Sequence, residues 1–192
     1  MFLLLKRSLN PSLYALRSYV ISAGDEFSAQ RAEEFERSLW CASATAMAAG
    51  GVGGGMKEEE AKQRYEIYTV PRARKIHQSL LTTPINALKC CIACIHVLRG
   101  NNNKPLLYPQ YPDLIICNGP GTAVCVILMS LSLKYFGIRG AKGKMRTIYV
   151  ESFARVRTLS LSGKILRGCC DRFVVQWERL KRGRAEYLGI LV

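Results

Sequence analysis

A short apolar strand that runs into a glycine-rich turn is the feature that most constrains this chain. Residues 114–117, Leu-Ile-Ile-Cys, predict a strand buried on both faces, and this run stops at Asn-Gly-Pro-Gly, residues 118–121. Thr122 is placed to cap a following helix over residues 123–133, which is apolar on nearly every side. Strand, turn and buried helix make half of a βαβ unit, so the sequence predicts an α/β fold with a parallel sheet.

The same turn predicts a ligand site. In α/β folds ligands bind at the carboxyl ends of the strands, where glycines let the backbone approach and a helix N-terminus favours negative charge. We therefore expect Asn118, Gly119, Gly121 and Thr122 to contact a phosphate-bearing ligand.

A second pair of polar residues follows a second predicted strand. Glu151 and Ser152 come directly after the apolar residues 147–150, again at a carboxyl end. A carboxylate there could deprotonate or orient a substrate hydroxyl. It could equally pair with Arg155 or Arg157 or hold its loop, and the sequence slightly favours these structural roles.

The charge of the chain indicates an anionic partner. The net charge is +14, and residues 139–184 contain 13 Lys or Arg against three acids, a net +10. Nucleic acid, a membrane surface and a phosphorylated ligand all fit this charge. The sequence lacks the aromatic pattern of RNA-recognition motifs and any zinc-finger spacing, so a basic RNA-binding protein is the weaker alternative and no nucleic-acid partner is expected. Arg72, Arg74 and His77 follow a predicted strand and form either a solvated face or an anion-contacting loop.

Eight cysteines raise the question of disulfides or metal. The apolar run at residues 2–5 is too short for a signal peptide, so reduced, buried thiols are predicted. Cys91, Cys94 and His96 do not supply four ligands, and Cys94 and His96 face different sides of a helix, which favours packing over metal or redox chemistry. No metal and no cofactor are expected. No stretch reaches the roughly 18 apolar residues of a membrane span.

Further elements follow from periodicity. Strands are predicted at residues 17–22, 65–70 and 173–176, and a surface helix at residues 28–39 with Ala29, Ala32, Phe35 and Leu39 on one side. A core-facing helix runs from residue 83 towards Gly100, with Thr83 as its cap. Its predicted inner face is Ile85, Leu88, Cys91, Ile92, Ile95 and Leu98. A further helix face is outlined by Leu159, Ser162, Leu166, Cys169 and Phe173.

The expected organisation has four parts. Residues 1–41 form an N-terminal βα part, residues 42–62 a low-complexity glycine-rich insert, residues 63–184 the main part and residues 185–192 a C-terminal tail. The glycines at 50–55 follow no strand, so residues 42–55 are predicted to be a flexible loop and not a nucleotide loop.

Several short motifs together resemble a known family. They are Tyr-Val-Glu-Ser at 149–152, Thr-Leu-Ser-Leu-Ser-Gly-Lys at 158–164, Val-Gln-Trp at 175–177, Tyr-Leu-Gly at 187–189, Pro-Arg-Ala-Arg at 71–74 and His-Gln-Ser-Leu-Leu-Thr-Thr at 77–83. With the central turn, these motifs make the chain similar to the family of the fourteenth asparagine-linked glycosylation protein. That family is the membrane-anchoring subunit of the UDP-N-acetylglucosamine transferase of the dolichol pathway. The resemblance runs from about residue 19 to residue 192, apart from residues 42–55.

The resemblance implies a Rossmann-like, doubly wound parallel sheet that is one half of a two-chain GT-B-type glycosyltransferase. A separate catalytic subunit would carry most of the sugar-nucleotide site. This chain would recruit that subunit to the cytosolic face of the endoplasmic reticulum membrane and help bind the lipid acceptor. The pair would add the second N-acetylglucosamine to GlcNAc-diphosphodolichol, and this chain would not turn over alone. The resemblance also implies that the tail packs on the catalytic partner through Tyr187, Leu188, Ile190, Leu191 and Val192.

The N-terminus departs from the family pattern. Family members begin with a membrane helix and a first strand that leads into a Gly-Ser-Gly-Gly-His loop, whereas residues 2–9 resemble the middle of the helix after that loop. We therefore expect a truncated form that lacks the first strand, and a truncated inactive isoform is an alternative function. A free-standing α/β enzyme that uses Glu151 is another, and it would turn over without a partner.

Overall fold

The structure, a computed structural model, describes residues 14, 16–49, 65–73, 83–100, 111–119 and 121–189. The chain divides into two compact units, Met1–Thr69 and Val70–Val192. Several predictions fall outside the described residues. They concern residues 2–9, the glycines at 50–55, Arg74, His77, and Ile190, Leu191 and Val192.

The first unit contains strand β1 (Arg17–Ser22), helix α1 (Glu26–Ala49) and all but the last residue of strand β2 (Tyr65–Val70). Strands β1 and β2 pair in a two-stranded sheet. Both strands have the predicted bounds. Helix α1 buries Ala32 and Phe35, as its periodicity predicts. It also continues to Ala49, so the prediction of a loop from residue 42 is wrong for residues 42–49. The alanines in this stretch are strong helix formers, which explains the extension.

The second unit is built around a parallel sheet. Its elements are α2 (Thr83–Leu98), β3 (Leu114–Asn118), α3 (Thr122–Tyr135), a 3₁₀ helix (Ile138–Gly140), β4 (Arg146–Val150), α4 (Leu161–Leu166), β5 (Arg172–Val175), a second 3₁₀ helix (Glu178–Leu180) and β6 (Ala185–Tyr187). The strand order is β3-β4-β5-β6, and every neighbouring pair is parallel. The predicted α/β fold with a parallel sheet is confirmed.

The core of this unit lies between the sheet and its helices. Tyr149 on β4 stacks on Phe173 on β5 with ring centroids 5.4 Å apart, and both side chains are buried. Ile127 on α3 and Leu166 on α4 are fully buried. Burying large apolar side chains of this kind stabilises the fold by about 1.5–3 kcal/mol each.

Helix α2 buries Leu98 as predicted, but the rest of its buried face differs from the predicted one. Its buried residues are Cys90, Cys94 and Leu98, whereas Ile85, Leu88 and Ile92 are 59%, 62% and 49% exposed. The buried face packs against α3, where the Cys125 thiol lies 4.0 Å from the Ala87 carbonyl oxygen. Small thiols at every fourth position let the two helices approach closely. Because α2 is apolar on both sides, periodicity alone does not select the face.

The end of the chain differs from the prediction in two places. Helix α4 has only six residues, so Cys169 lies beyond it and Phe173 belongs to β5, although Ser162 and Leu166 are buried as predicted. Strand β6 was not predicted. It has three residues, which is too short for a period-two pattern to appear in the sequence.

All eight cysteines are free thiols. Burial raises the pKa of Cys117 on β3 to about 12 and that of Cys91 on α2 to about 11. Both groups therefore remain protonated and act as small apolar side chains. None of the helices within the described residues has the length and apolarity needed to cross a membrane.

Candidate functional site

The sheet register brings the predicted site residues to one edge. Asn118 at the end of β3 is paired with Val150 at the end of β4, and Val150 is paired with Val174 on β5. Since the strands are parallel, the residues that follow them emerge side by side. The glycine turn after β3 and the loop after β4, which begins with Glu151, are therefore neighbours, and each lies at the carboxyl end of its strand as predicted.

The turn after β3 requires its glycines. Gly119 has a φ of +120°, a conformation that side-chain-bearing residues rarely adopt. A Cβ atom at Gly121 would lie 3.3 Å from the Cβ of Ala73. The turn is therefore packed against the segment that follows β2, next to Arg72. The Tyr149 hydroxyl donates a 3.3 Å hydrogen bond to the Gly119 carbonyl and joins the turn to β4.

Helix α3 begins at this turn. Its N-cap residue is Gly121 and its first helical residue is Thr122, so the prediction that Thr122 caps the helix is wrong. Glycine is tolerated at an N-cap because it accepts the unusual backbone angles there. The N-terminus of this helix lies at the glycine turn, and the positive end of a helix dipole favours an anion at such a position.

Glu151 is fully buried and holds the loop that follows it. Its Oε1 accepts a 2.9 Å hydrogen bond from the Ser152 backbone N–H, and its Oε2 accepts bonds from the N–H and Oγ of Ser160 at 3.1 and 3.0 Å. Three donors satisfy a buried carboxylate that would otherwise carry a large desolvation penalty. Among the described residues, neither Arg155 nor Arg157 forms the ion pair with Glu151 that was one predicted alternative. The catalytic role of Glu151 stays a prediction.

Three further residues, for which no role was predicted, complete this arrangement. Ser160 caps α4 by accepting a 2.9 Å bond from the Gly163 N–H. Gly163 leaves the space for Glu151, since a Cβ there would lie 3.2 Å from Cδ of Glu151 and closer still to Oε2. Gln176, after β5, donates a 2.9 Å bond to the Glu151 carbonyl. The signal for Ser160 was present in Ser-Leu-Ser-Gly, a serine placed to cap a helix.

The remaining predicted residues lie at different places. Ser152 is half-buried beside Glu151, and Arg72 precedes the buried Ala73 that contacts Gly121. Tyr187 ends β6 and is 37% exposed, and Leu188 directly after it is 56% exposed. Within the described residues, no group of three or more His, Cys, Asp or Glu side chains is arranged to hold a metal ion.

Comparison with known proteins identifies the family. A family model described as "Oligosaccharide biosynthesis protein Alg14 like" matches residues 1–191. The chain belongs to the Alg14 family. The family resemblance inferred from the short motifs is thereby confirmed. The Alg14 match includes the glycine turn, Glu151 and most of the C-terminal tail.

Individual Alg14 proteins agree with this assignment. An Aspergillus fumigatus protein named UDP-N-acetylglucosamine transferase subunit alg14 is 40% identical over 233 residues, covering 100% of both chains. The protein of that name from Schizosaccharomyces pombe is 39% identical over 189 residues, 97% of this chain and 75% of the relative. The human subunit ALG14 is 35% identical over 181 residues, 93% of this chain and 71% of the relative. No solved structure matches the chain.

Proposed function

We propose that this chain is the non-catalytic subunit of a UDP-N-acetylglucosamine transferase. In this proposal a separate catalytic subunit binds to it as a heterodimer, and together they add the second N-acetylglucosamine to GlcNAc-diphosphodolichol. The observation that carries the proposal is the whole-chain similarity to a protein named as a subunit of this transferase. The parallel sheet, with its glycine turn at the carboxyl edge, supplies a compatible binding architecture.

The acceptor diphosphate is assigned to the glycine turn. Gly119 and Gly121 keep side chains away from the backbone of the turn, and the N-terminus of the 14-residue helix α3 favours negative charge there. Asn118, Thr122 and Ser152 would supply polar contacts. Arg72, Arg74 and His77, which follow β2, would supply positive charge.

Glu151 serves this site by holding a loop in place. Its two carboxylate oxygens are occupied by Ser152 and Ser160, and its carbonyl oxygen accepts from Gln176. These bonds connect the ends of β4 and β5 with the start of α4. Glu151 is thus a positioning residue in this proposal, and Ser152 is the residue it presents towards the acceptor.

The C-terminal tail is assigned to the catalytic partner. All three residues of strand β6, from Ala185 to Tyr187, are paired with β5. The exposed apolar Leu188 follows this strand. Tyr187, Leu188, Ile190, Leu191 and Val192 would pack on the catalytic subunit and bring it to the cytosolic face of the endoplasmic reticulum membrane. Exposed apolar side chains such as Tyr187 and Leu188 are suited to such docking.

Replacement of the native subunit in cells tests this proposal. Schizosaccharomyces pombe cells depleted of their own alg14 subunit would express this chain, and their lipid-linked saccharides would be separated by chain length. We expect depletion to accumulate the species with one N-acetylglucosamine and this chain to restore the species with two. Expression at normal levels without restoration, although the chain co-purifies with the catalytic subunit, would contradict the assigned reaction step.

A further inference from the structure

A basic cavity lies in the second unit, apart from the glycine turn. Its volume is about 280 Å³. Among the described residues, none that line it is acidic. Five of the lining residues are cationic: Arg157, Lys164, Arg167, Arg179 and Arg182. A concave surface lined by charges of one sign focuses the electric field of those charges. A positively charged cavity therefore attracts anions.

Three segments of the chain form this cavity. The loop after β4 contributes Arg157, α4 and the turn after it contribute Lys164 and Arg167, and the segment between β5 and β6 contributes Arg179 and Arg182. The first and third segments follow the carboxyl ends of parallel strands. The cavity therefore lies on the loops where α/β folds bind their ligands.

The five cations have no acidic partners among the described residues. The ion pairs of the second unit involve other side chains: Lys134 with Asp171, Lys144 with Asp113, and Arg172 with Glu186. Like charges around one cavity repel each other, and a bound anion would remove this repulsion. Four of the five acids of the second unit, Asp113, Glu151, Asp171 and Glu186, are bound by other groups, and the fifth, Glu178, does not line the cavity, so the lining is strongly positive.

The chemistry of the lining narrows the class of anion. Four of the five cations are arginines, whose planar guanidinium groups bind phosphate oxygens through paired N–H donors. Thr158 adds a hydroxyl, and the buried Leu180 contributes an apolar part of the wall. The donors converge from three segments on one small volume. This arrangement fits a compact anion with several negative charges better than an extended acidic peptide.

We propose that this basic cavity binds a diphosphate group. The inference rests on the proposed function only for the carrier of that group, which would be the nucleotide donor, because the acceptor diphosphate is assigned to the glycine turn. The cavity is separate from the glycine turn and shares no residue with the acceptor site assigned above.

Calorimetric titration of the full chain with inorganic pyrophosphate tests the proposal. The double variant Arg157→Gln/Arg182→Gln removes two charges from the cavity. The matched control Arg155→Gln/Lys181→Gln removes two charges from the same two loops, at exposed positions that do not line the cavity. We expect Kd to rise at least about tenfold in the cavity variant, because each lost charge-assisted bond weakens binding by about that factor. The control should stay within about twofold.

The contrary results are equally specific. Absence of pyrophosphate binding by the wild-type chain, or an equal loss in both variants, would overturn the proposal. Both pairs of side chains are exposed, so unfolding of the variants is not expected, and thermal melts of each would verify this. The titration contains no catalytic subunit. Its failure is therefore distinguishable from a failure of the proposed transferase role, which the cell experiment measures.

Competition identifies the carrier of the diphosphate. UDP and geranyl diphosphate would each be titrated against bound pyrophosphate. We expect UDP to compete more tightly, and tighter competition by geranyl diphosphate would contradict the assignment of the cavity to the nucleotide donor. A polyglutamate peptide tests the competing possibility that the cavity binds an acidic protein segment. If it binds more tightly than pyrophosphate and loses this binding in the cavity variant, the cavity is a contact for an acidic protein segment and the diphosphate proposal is wrong.

Discussion

Ser160 donates both its backbone N–H and its hydroxyl to the same oxygen of Glu151, at 3.1 and 3.0 Å. The two residues are nine positions apart, and their contact closes the loop between β4 and α4 over a fully buried carboxylate. The loop that contains Ser152 and Arg157 is therefore anchored at both ends.

Glu151→Gln is expected to destabilise the chain by about 1–3 kcal/mol, because an amide replaces one of the charged acceptors with a donor. Urea unfolding would measure this change. Glu34→Gln, at an exposed position on α1, is the control and should stay within about 0.5 kcal/mol.

The same variant separates positioning from catalysis. At a temperature where Glu151→Gln is folded, the transferase activity of the heterodimer should fall by less than about tenfold. A general base contributes about 10²–10⁴-fold. A loss of that size with unchanged stability would show that Glu151 takes part in the chemistry.

Substitutions at two glycines test whether the Glu151 carboxylate needs the space beside Gly163. Gly163→Ala would place a methyl group against Oε2 of Glu151 and displace it from Ser160, so we expect a loss of about 1–3 kcal/mol in unfolding free energy. Gly168 lies in the same region with open space around it, and Gly168→Ala should be neutral or slightly stabilising. Equal melting temperatures for the two variants would show that Gly163 is not needed to accommodate Glu151.

Asp171 gives stability a dependence on acid pH. Burial acts to raise the pKa of this carboxyl, but the N–H and hydroxyl of Thr147 and the nearby Lys134 together hold it below the ordinary 3.8. A lowered pKa in the folded state means that the stabilisation is complete above about pH 4 and is lost as the pH falls further. The side chain is half exposed, so the contribution is below about 1 kcal/mol.

Urea unfolding between pH 7 and pH 2.5 would detect this dependence. Asp171→Asn should lower stability at pH 7 and flatten the decline below pH 4. Asp113→Asn removes the same charge from a largely exposed carboxyl and should leave the shape of the profile unchanged. If wild type and Asp171→Asn lose stability in parallel as the pH falls, the contact between Asp171 and Thr147 is not the source of the pH dependence.

Removal of residues 188–192 should abolish co-purification with the catalytic subunit while the chain still folds. Because β6 ends at Tyr187, this deletion leaves its pairing with β5 intact. Leu188→Asp should weaken the heterodimer more than Leu161→Asp, an equally drastic change at an exposed leucine on α4. A heterodimer that forms unchanged without residues 188–192 would refute the docking role of the tail.

Much of the architecture could be predicted from local sequence signals. Strands β1 and β2 have the predicted bounds because each contains aromatic and β-branched residues and is followed by a turn residue, Gly24 or Pro71. The strand, glycine turn and helix at residues 114–135 could be predicted because Gly119 and Gly121 interrupt two strongly apolar runs. The parallel arrangement and the carboxyl-edge location of Glu151 followed from that unit.

The features that were missed depend on packing. Helix α2 is apolar on two faces, and only its contact with α3 selects the one that carries Cys90 and Cys94. The two hydrogen bonds that Ser160 donates to Glu151 depend on the path of the loop between these residues. A loop has no periodic sequence pattern from which such a contact could be predicted. Three separate segments of the chain form the basic cavity. Arg157 and Arg182 therefore line the same cavity only in the folded chain.

The most direct test of the central claim is the transfer of N-acetylglucosamine from UDP-N-acetylglucosamine to a GlcNAc-diphosphate lipid by purified components. Three samples would be compared: this chain alone, the catalytic subunit alone and the two together. The account predicts product with two N-acetylglucosamines only from the combined sample. Turnover by this chain alone, or no gain when it joins the catalytic subunit, would contradict its assignment as the non-catalytic subunit.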